Sequence, residues 1–129
     1  MDGLPIDINL APLIGAQLTQ ICVGRFHYIL NFHEHIQKKI LDIHDYVQIG
    51  IDGECVFVTE QGEELVISDY VKDASTMCGL IGHNITHAER DCNGGLVVRF
   101  SNQAILHMLN DTAYYEAFQL RMQGRLYVA

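Results

Sequence analysis

Basic residues are scarce in this chain. Lysine and arginine together number 8 against 16 aspartates and glutamates, and the net charge is −8. That balance repels a phosphate backbone, so no nucleic-acid partner is expected. No apolar run approaches the roughly 18 residues of a membrane-spanning helix, which excludes such a span. The opening residues, Met1-Asp2-Gly3-Leu4-Pro5, supply neither the basic nor the long apolar region of a secretory signal, and the expected location is the cytoplasm. The four cysteines, Cys22, Cys55, Cys78 and Cys92, include no C-x-x-C pair. In a reducing compartment they are expected to be buried, reduced thiols. The only prolines, Pro5 and Pro12, keep the lead-in segment from being a central strand.

Catalytic signatures are also missing. Ser68, Ser75 and Ser101 stand in no G-x-S-x-G context. There is no phosphate-cradling G-x-x-x-x-G-K-[ST] or G-x-G-x-x-G, and Gly94-Gly95 reads as a turn. Glu63 and Glu64 are neighbours, which on a strand point to opposite faces and cannot share a substrate. Histidine is the one tempting type. His27, His33 and His35 could offer three imidazoles to a metal, with Glu34 or Asp45 as the carboxylate. A turn carrying two histidines is more often simply solvated. His83 and His87 share a strand face but would stand about 13 Å apart, and no glutamate follows His83 to make a metalloprotease motif. No enzyme activity, cofactor or metal is therefore expected.

What is present is β-structure, written twice. Hydrophobic residues make up 49% and charged residues 19% of 129 positions, which suits one globular domain over residues 1–129. Leu13-Ile14-Gly15 with Leu18-Thr19 returns 67 residues later as Leu80-Ile81-Gly82 with Ile85-Thr86. Alternating runs follow each copy: Phe26, Tyr28, Leu30 and Phe32 in the first, Leu96, Val98 and Phe100 in the second. Strands are expected at Gln17 to Val23, Phe26 to Phe32, Lys39 to Ile43, Val47 to Ile51, Cys55 to Thr59 and Glu64 to Ser68. Turns are expected at His33-Glu34-His35, at Asp52-Gly53 as a hairpin, and at Glu60 to Glu63. Ser68 or Asp69 reads as the N-cap of one short helix over Tyr70 to Cys78, closed by Gly79. The second half repeats the pattern. Ala117 to Met122 matches Val47 to Ile51, and Leu126 to Val128 echoes Val56 to Val58. The fold class is mainly β: two repeated antiparallel meanders, residues 13–68 and 80–129, form a β-sandwich or partly closed barrel, with 69–79 as a short helical linker.

The negative charge is local. Nine acids lie between Asp42 and Asp73 against one base, Lys72, so seven acids and seven bases balance elsewhere. Asp42, Asp45, Asp52, Glu54, Glu60, Glu63 and Glu64 are the candidate partner-binding residues. An acidic field attracts basic partners, although charge at strand edges also guards against aggregation.

Leu80-Ile81-Gly82-x-x-Ile85-Thr86, Gly95-Leu96-Val97-Val98-Arg99-Phe100, Tyr115-Glu116-Ala117-Phe118 and Gly124-Arg125-Leu126-Tyr127-Val128 resemble a family of small bacterial β-rich domains of unknown function. Phe118 stands where that family often carries tryptophan. The resemblance transfers no catalytic residue. In size, class and charge the chain is similar to immunity proteins of polymorphic-toxin and contact-dependent growth inhibition systems. The resemblance implies a cytoplasmic protein that binds and neutralises a cognate toxin domain, of a basic nuclease type, without nucleic-acid or membrane contact. A small-ligand-binding or sensor domain, with its pocket in the seam of the halves, is the alternative, and a metal-dependent enzyme using His27, His33 and His35 is the less favoured one.

Overall fold

Apolar side chains at every second position bury one face of the inner strands of each sheet. In the computed structural model, which describes residues 3–33, 47–110 and 117–129, ten strands result. The first five are β1 (Gln17–Val23), β2 (Tyr28–His33), β3 (Val47–Ile51), β4 (Cys55–Val58) and β5 (Glu64–Ile67). A short helix, α1 (Ala74–Cys78), precedes β6 (Ile85–Arg90), β7 (Leu96–Phe100), β8 (Ile105–Met108), β9 (Phe118–Met122) and β10 (Arg125–Val128). They form two antiparallel five-stranded sheets, ordered β1-β2-β3-β9-β10 and β5-β4-β8-β7-β6. This is a β-sandwich without barrel closure, the class expected.

The halves do not each keep their own sheet. Each sheet takes three strands from one half and two from the other. By position, β9 occupies the place of β4 and β10 that of β5, one strand later than the sequence echo suggests. Asp52-Gly53 is consequently not a hairpin turn. The chain there passes from β3 in the first sheet to β4 in the second. The backbone amides of Asp52 and Gly53 donate to the carbonyl of Ala117, at 3.0 and 2.7 Å, and so anchor the crossing to the start of β9. Gln123-Gly124, by contrast, is a true two-residue hairpin between β9 and β10. Both residues have positive φ, 51° and 75°, as the twist of such a turn demands.

The repeated Leu-Ile-Gly segments are the devices that join the halves. Gly15 and Gly82 have φ of 88° and 92°, a region that a side chain disfavours. Each turns its amide onto the other half: Gly15 N–H donates to Ile85 O and Gly82 N–H to Leu18 O, both at 2.8 Å. Leu18 N–H donates to His83 O and Ile85 N–H to Ala16 O. This reciprocity is that of an approximate twofold relation, in which one contact implies its mirror. Thr19 and Thr86 repeat as well. The register slips at each, the mark of a β-bulge, and each hydroxyl donates to a carbonyl of the next strand, Asn31 and Arg99 respectively.

The inward faces make one core. Leu18, Leu30, Ile49, Leu120 and Phe118 from the first sheet meet Val98, Leu106, Met108 and Phe100 from the second, all fully buried. Phe32 and Phe100, equivalent in the two halves, stack with centroids 6.4 Å apart. Burying each such side chain contributes roughly 1.5–3 kcal/mol. Tyr28 and Tyr70 pack edge to face at 4.7 Å. The Tyr28 hydroxyl donates to Tyr70 O at 2.6 Å, and the Tyr70 hydroxyl donates to Gly53 O. These two bonds tie β2, the crossing before β4 and the segment before α1 together.

Three further expectations are corrected. Phe26 is 70% exposed and lies outside β2, with Arg25 over its ring. The helix starts at Ala74, not Tyr70, because Tyr70 is drawn into the core. The N-cap position is accordingly Asp73, not Ser68 or Asp69; Asp69 instead closes the preceding turn, accepting from Lys72 N–H. Of the cysteines only Cys55 is buried; Cys22, Cys78 and Cys92 are exposed and all four are free. The expected strand Lys39 to Ile43 and the tip of the His33-Glu34-His35 turn lie outside the described residues.

Candidate interaction surface

The acidic residues fall into two groups. Asp52 and Glu54 lie on the crossing before β4, and Glu60, Glu63 and Glu64 on the turn and strand start after it. All five are exposed. Four strand residues at about 3.3 Å each put at least about 13 Å between the groups. Asp42 and Asp45 lie outside the described residues. The Asp52 carboxylate accepts from Gln119 Nε2 at 2.7 Å. Glu60, Glu63 and Glu64 enter no ion pair among the described residues. Their turn is firmly closed: Thr59 N–H donates to Glu63 O at 2.9 Å and Glu63 N–H to Thr59 Oγ1 at 3.1 Å. This hairpin is therefore a fixed projection of negative charge.

Beside it lies a surface that period-two reading did not single out. The outward positions of the second sheet are Glu64 and Val66 on β5, Val56 and Val58 on β4, and Ile105 and His107 on β8. Val97 and Arg99 follow on β7, then His87 and Glu89 on β6. Register aligns them as two rows: Val66, Val56, His107, Val97, Glu89, and Glu64, Val58, Ile105, Arg99, His87. Five of the ten positions are aliphatic: Val66, on the edge strand β5, is 56% exposed, and Val56, Val58, Val97 and Ile105 are half-buried. The first sheet's outer face is different. There Asn31 Nδ2 donates to Gln20 Oε1 and Gln48 Nε2 to Asn31 Oδ1, three linked amides in a row that ends with Arg121 and the exposed Leu126, and the parallel row sets Ile29 and Val128 apart with Gly50 and Gln119 between them. The run Cys55-Val56-Phe57-Val58 was the available signal: it is apolar on both faces where a half-buried strand alternates.

Within the aliphatic rows stands a fixed polar group. His107 Nε2 lies 2.6 Å from Asp91 Oδ2, and Asp91 Oδ1 accepts from the amides of Asn93 and Gly95, each at 2.8 Å. Burial, the largest influence, would raise the Asp91 carboxyl. The hydrogen bonds from His107, Gly95 and Asn93, with the histidine's charge, outweigh it and hold the group below the usual range. Gly95 is required for this contact, since a methyl group there would overlap the Asp91 carboxylate.

The other histidines are dispersed. His27 lies in the β1–β2 turn and His33 at the far end of β2, about 20 Å away by strand rise; His35 is outside the described residues. His83 Nδ1 is 3.1 Å from Ser101 Oγ, and His87 Nε2 is 3.7 Å from Glu89. Among the described residues no group of three or more histidines, cysteines or carboxylates is placed to hold a metal. No helix among them is long and apolar enough to cross a membrane. Two open surface depressions, of about 440 and 480 Å³, are lined by Asp7, Asn9, Arg125 and Tyr127, and by Arg25, Phe26, Asp69 and Tyr70. Comparison with models of known protein families, with curated proteins and with solved structures gives no match.

Proposed function

We propose that this chain works by binding a protein: it is an immunity-type inhibitor that neutralises a basic bacterial toxin domain through its acidic surface. The observation that carries the reading is the β4–β5 hairpin. It projects Glu60, Glu63 and Glu64 into solvent on a closed turn, with no ion pair to a cation among the described residues. Unneutralised carboxylates on a rigid turn raise the rate at which a basic partner is captured. A nuclease-type domain must present a basic surface to its substrate, and such a hairpin imitates the phosphates it would otherwise meet.

The test uses as candidate toxin the C-terminal domain of the protein encoded by the adjacent upstream gene, purified and inactivated by mutation. Association rates are measured at low and at physiological salt for the wild type and for the Glu60→Lys/Glu63→Lys/Glu64→Lys variant. The expected result is a loss of roughly tenfold or more in association rate, with a flatter salt dependence. Unchanged binding and salt dependence would rule out this surface.

A further inference from the structure

The acidic hairpin is too small to be an interface by itself. A stable protein contact covers about 800 Å² on each partner, and three carboxylates on one turn supply steering more than adhesion. The centre of such a contact is normally apolar and its rim polar. The hairpin borders one candidate for that centre. Glu64 belongs to it directly, since it pairs with Val58, which pairs with Ile105.

We infer that the outer face of the second sheet, centred on Val56, Val58, Val66, Val97 and Ile105, is the adhesive part of the partner contact. The inference rests on the inhibitor reading above and deepens it. The occupant is a protein surface with an apolar prominence flanked on one side by lysine or arginine. Three observations fix this choice. The first is the difference between the sheets: the outer face of the first carries linked amides with Ile29, Val128 and the edge residue Leu126 scattered among them, whereas four neighbouring strands of the second present five β-branched aliphatics together. The second is charge. The β5 side of the aliphatic field carries Glu60, Glu63 and Glu64, while the β6 side carries Arg99, His87 and Glu89 and is mixed. A basic flank on the partner must therefore lie over β5, which fixes its orientation.

The third observation is size. Four strands at about 4.8 Å spacing and two rows about 7 Å apart give a patch on the order of 200–300 Å², five of whose eight outward positions are aliphatic. That is too little for two copies to bury against each other alone, given the area a stable dimer needs. It is a suitable core for a larger contact whose rim includes the hairpin. His107 sits inside the field with Nε2 held by Asp91, so this polar group is set before binding.

The experiment uses the full chain and the same inactivated toxin domain. The Val66→Thr/Val97→Thr/Ile105→Thr variant keeps β-branched side chains on the strands and removes the apolar surface. Its thermal midpoint verifies folding, and Val66→Thr alone serves if the triple variant unfolds. The expected result is a dissociation rate raised 30-fold or more, with association rate and salt dependence as in the wild type. The Glu60→Gln/Glu63→Gln/Glu64→Gln variant should show the reverse pattern. If the threonine variant binds as the wild type does while the glutamine variant is impaired, the docking face is elsewhere and the acidic reading stands. If both bind normally, or the wild type does not bind, the two ideas fall together. Sedimentation of the protein alone adds one more outcome: a dimer that the threonine substitutions disperse would make a second copy the occupant and overturn the choice made here.

Discussion

Gln17 and Asn84 hold equivalent places in the two halves, and each reaches for the other's glycine. Gln17 Nε2 donates to Gly82 O at 3.0 Å, and Asn84 Nδ2 donates to Gly15 O at 2.9 Å. The residues also form an isolated antiparallel bridge with one another. Four groups thus close the point at which β1 meets β6, and the sheets are joined there by backbone as well as by core.

The backbone at this junction is expected to be sensitive to a single methyl group. Gly82 has φ of 92° with open space around the position where a Cβ would stand. Gly82→Ala should therefore cost about 1–2 kcal/mol from backbone conformation alone. Gly82→Asn should cost less, because asparagine tolerates this region. Urea denaturation of the three proteins measures the difference. Equal stability of the alanine variant would mean that the left-handed turn is not needed.

Asp91 gives the fold an acid limit. Its folded-state pKa lies below the unfolded value of about 4. Its stabilising contribution is therefore complete above that value and is lost as pH falls through the folded one. Asp91→Ala should lower stability at neutral pH by about 2 kcal/mol and flatten the decline of stability in acid. Gly95→Ala should cost more, because the added methyl displaces the carboxylate from His107 and also meets the backbone carbonyl of Met108. Denaturation midpoints measured across the acid range check both.

Tyr28 sets the corresponding limit in alkali. Burial first, and then the charge of Asp73, raise its hydroxyl above the ordinary tyrosine value. The fold is thus favoured below the unfolded pKa of about 10, and this contribution is lost as pH rises through the folded value. Tyr28→Phe removes the bond to Tyr70 O. It should cost about 1 kcal/mol at neutral pH and make the alkaline decline shallower.

Thiol chemistry distinguishes the cysteines. Cys22, Cys78 and Cys92 are exposed, whereas burial, followed by the charges of Asp73 and Glu54, pushes the Cys55 thiol up to about 12. An aromatic disulfide reagent at mildly alkaline pH should titrate three thiols quickly in the folded protein and the fourth only on unfolding. Four equal rates would contradict this placement.

Alternation told which face each strand buries, and it told this well: Leu30, Ile49, Val98 and Leu120 all point inward as their spacing requires. It carries no information about which strand lies alongside. Asp52-Gly53 has the composition of a hairpin, and only the docking of both amides on Ala117 makes it a crossing between sheets. The Leu-Ile-Gly echo was visible as a repeat, but its purpose depends on contacts between residues 65 and 69 positions apart. Phe26 obeys the alternation of β2 yet falls before the strand begins. The acidic hairpin could be read from composition, whereas the aliphatic face beside it was signalled only by the doubly apolar run Cys55-Val56-Phe57-Val58. Valine inside and valine outside look alike until register places them.

The exchange of strands between halves has a consequence for how the chain is made. β3 completes its side of the first sheet only by pairing with β9, which is synthesised after five intervening strands. Until then the nascent N-terminal half carries Ile49 and Ile51 on a strand with an unfilled edge. Such long-range closure is slow and leaves apolar edges open to other chains. Successful production should therefore depend on what shields that edge during translation, and slower growth at lower temperature should raise the soluble yield.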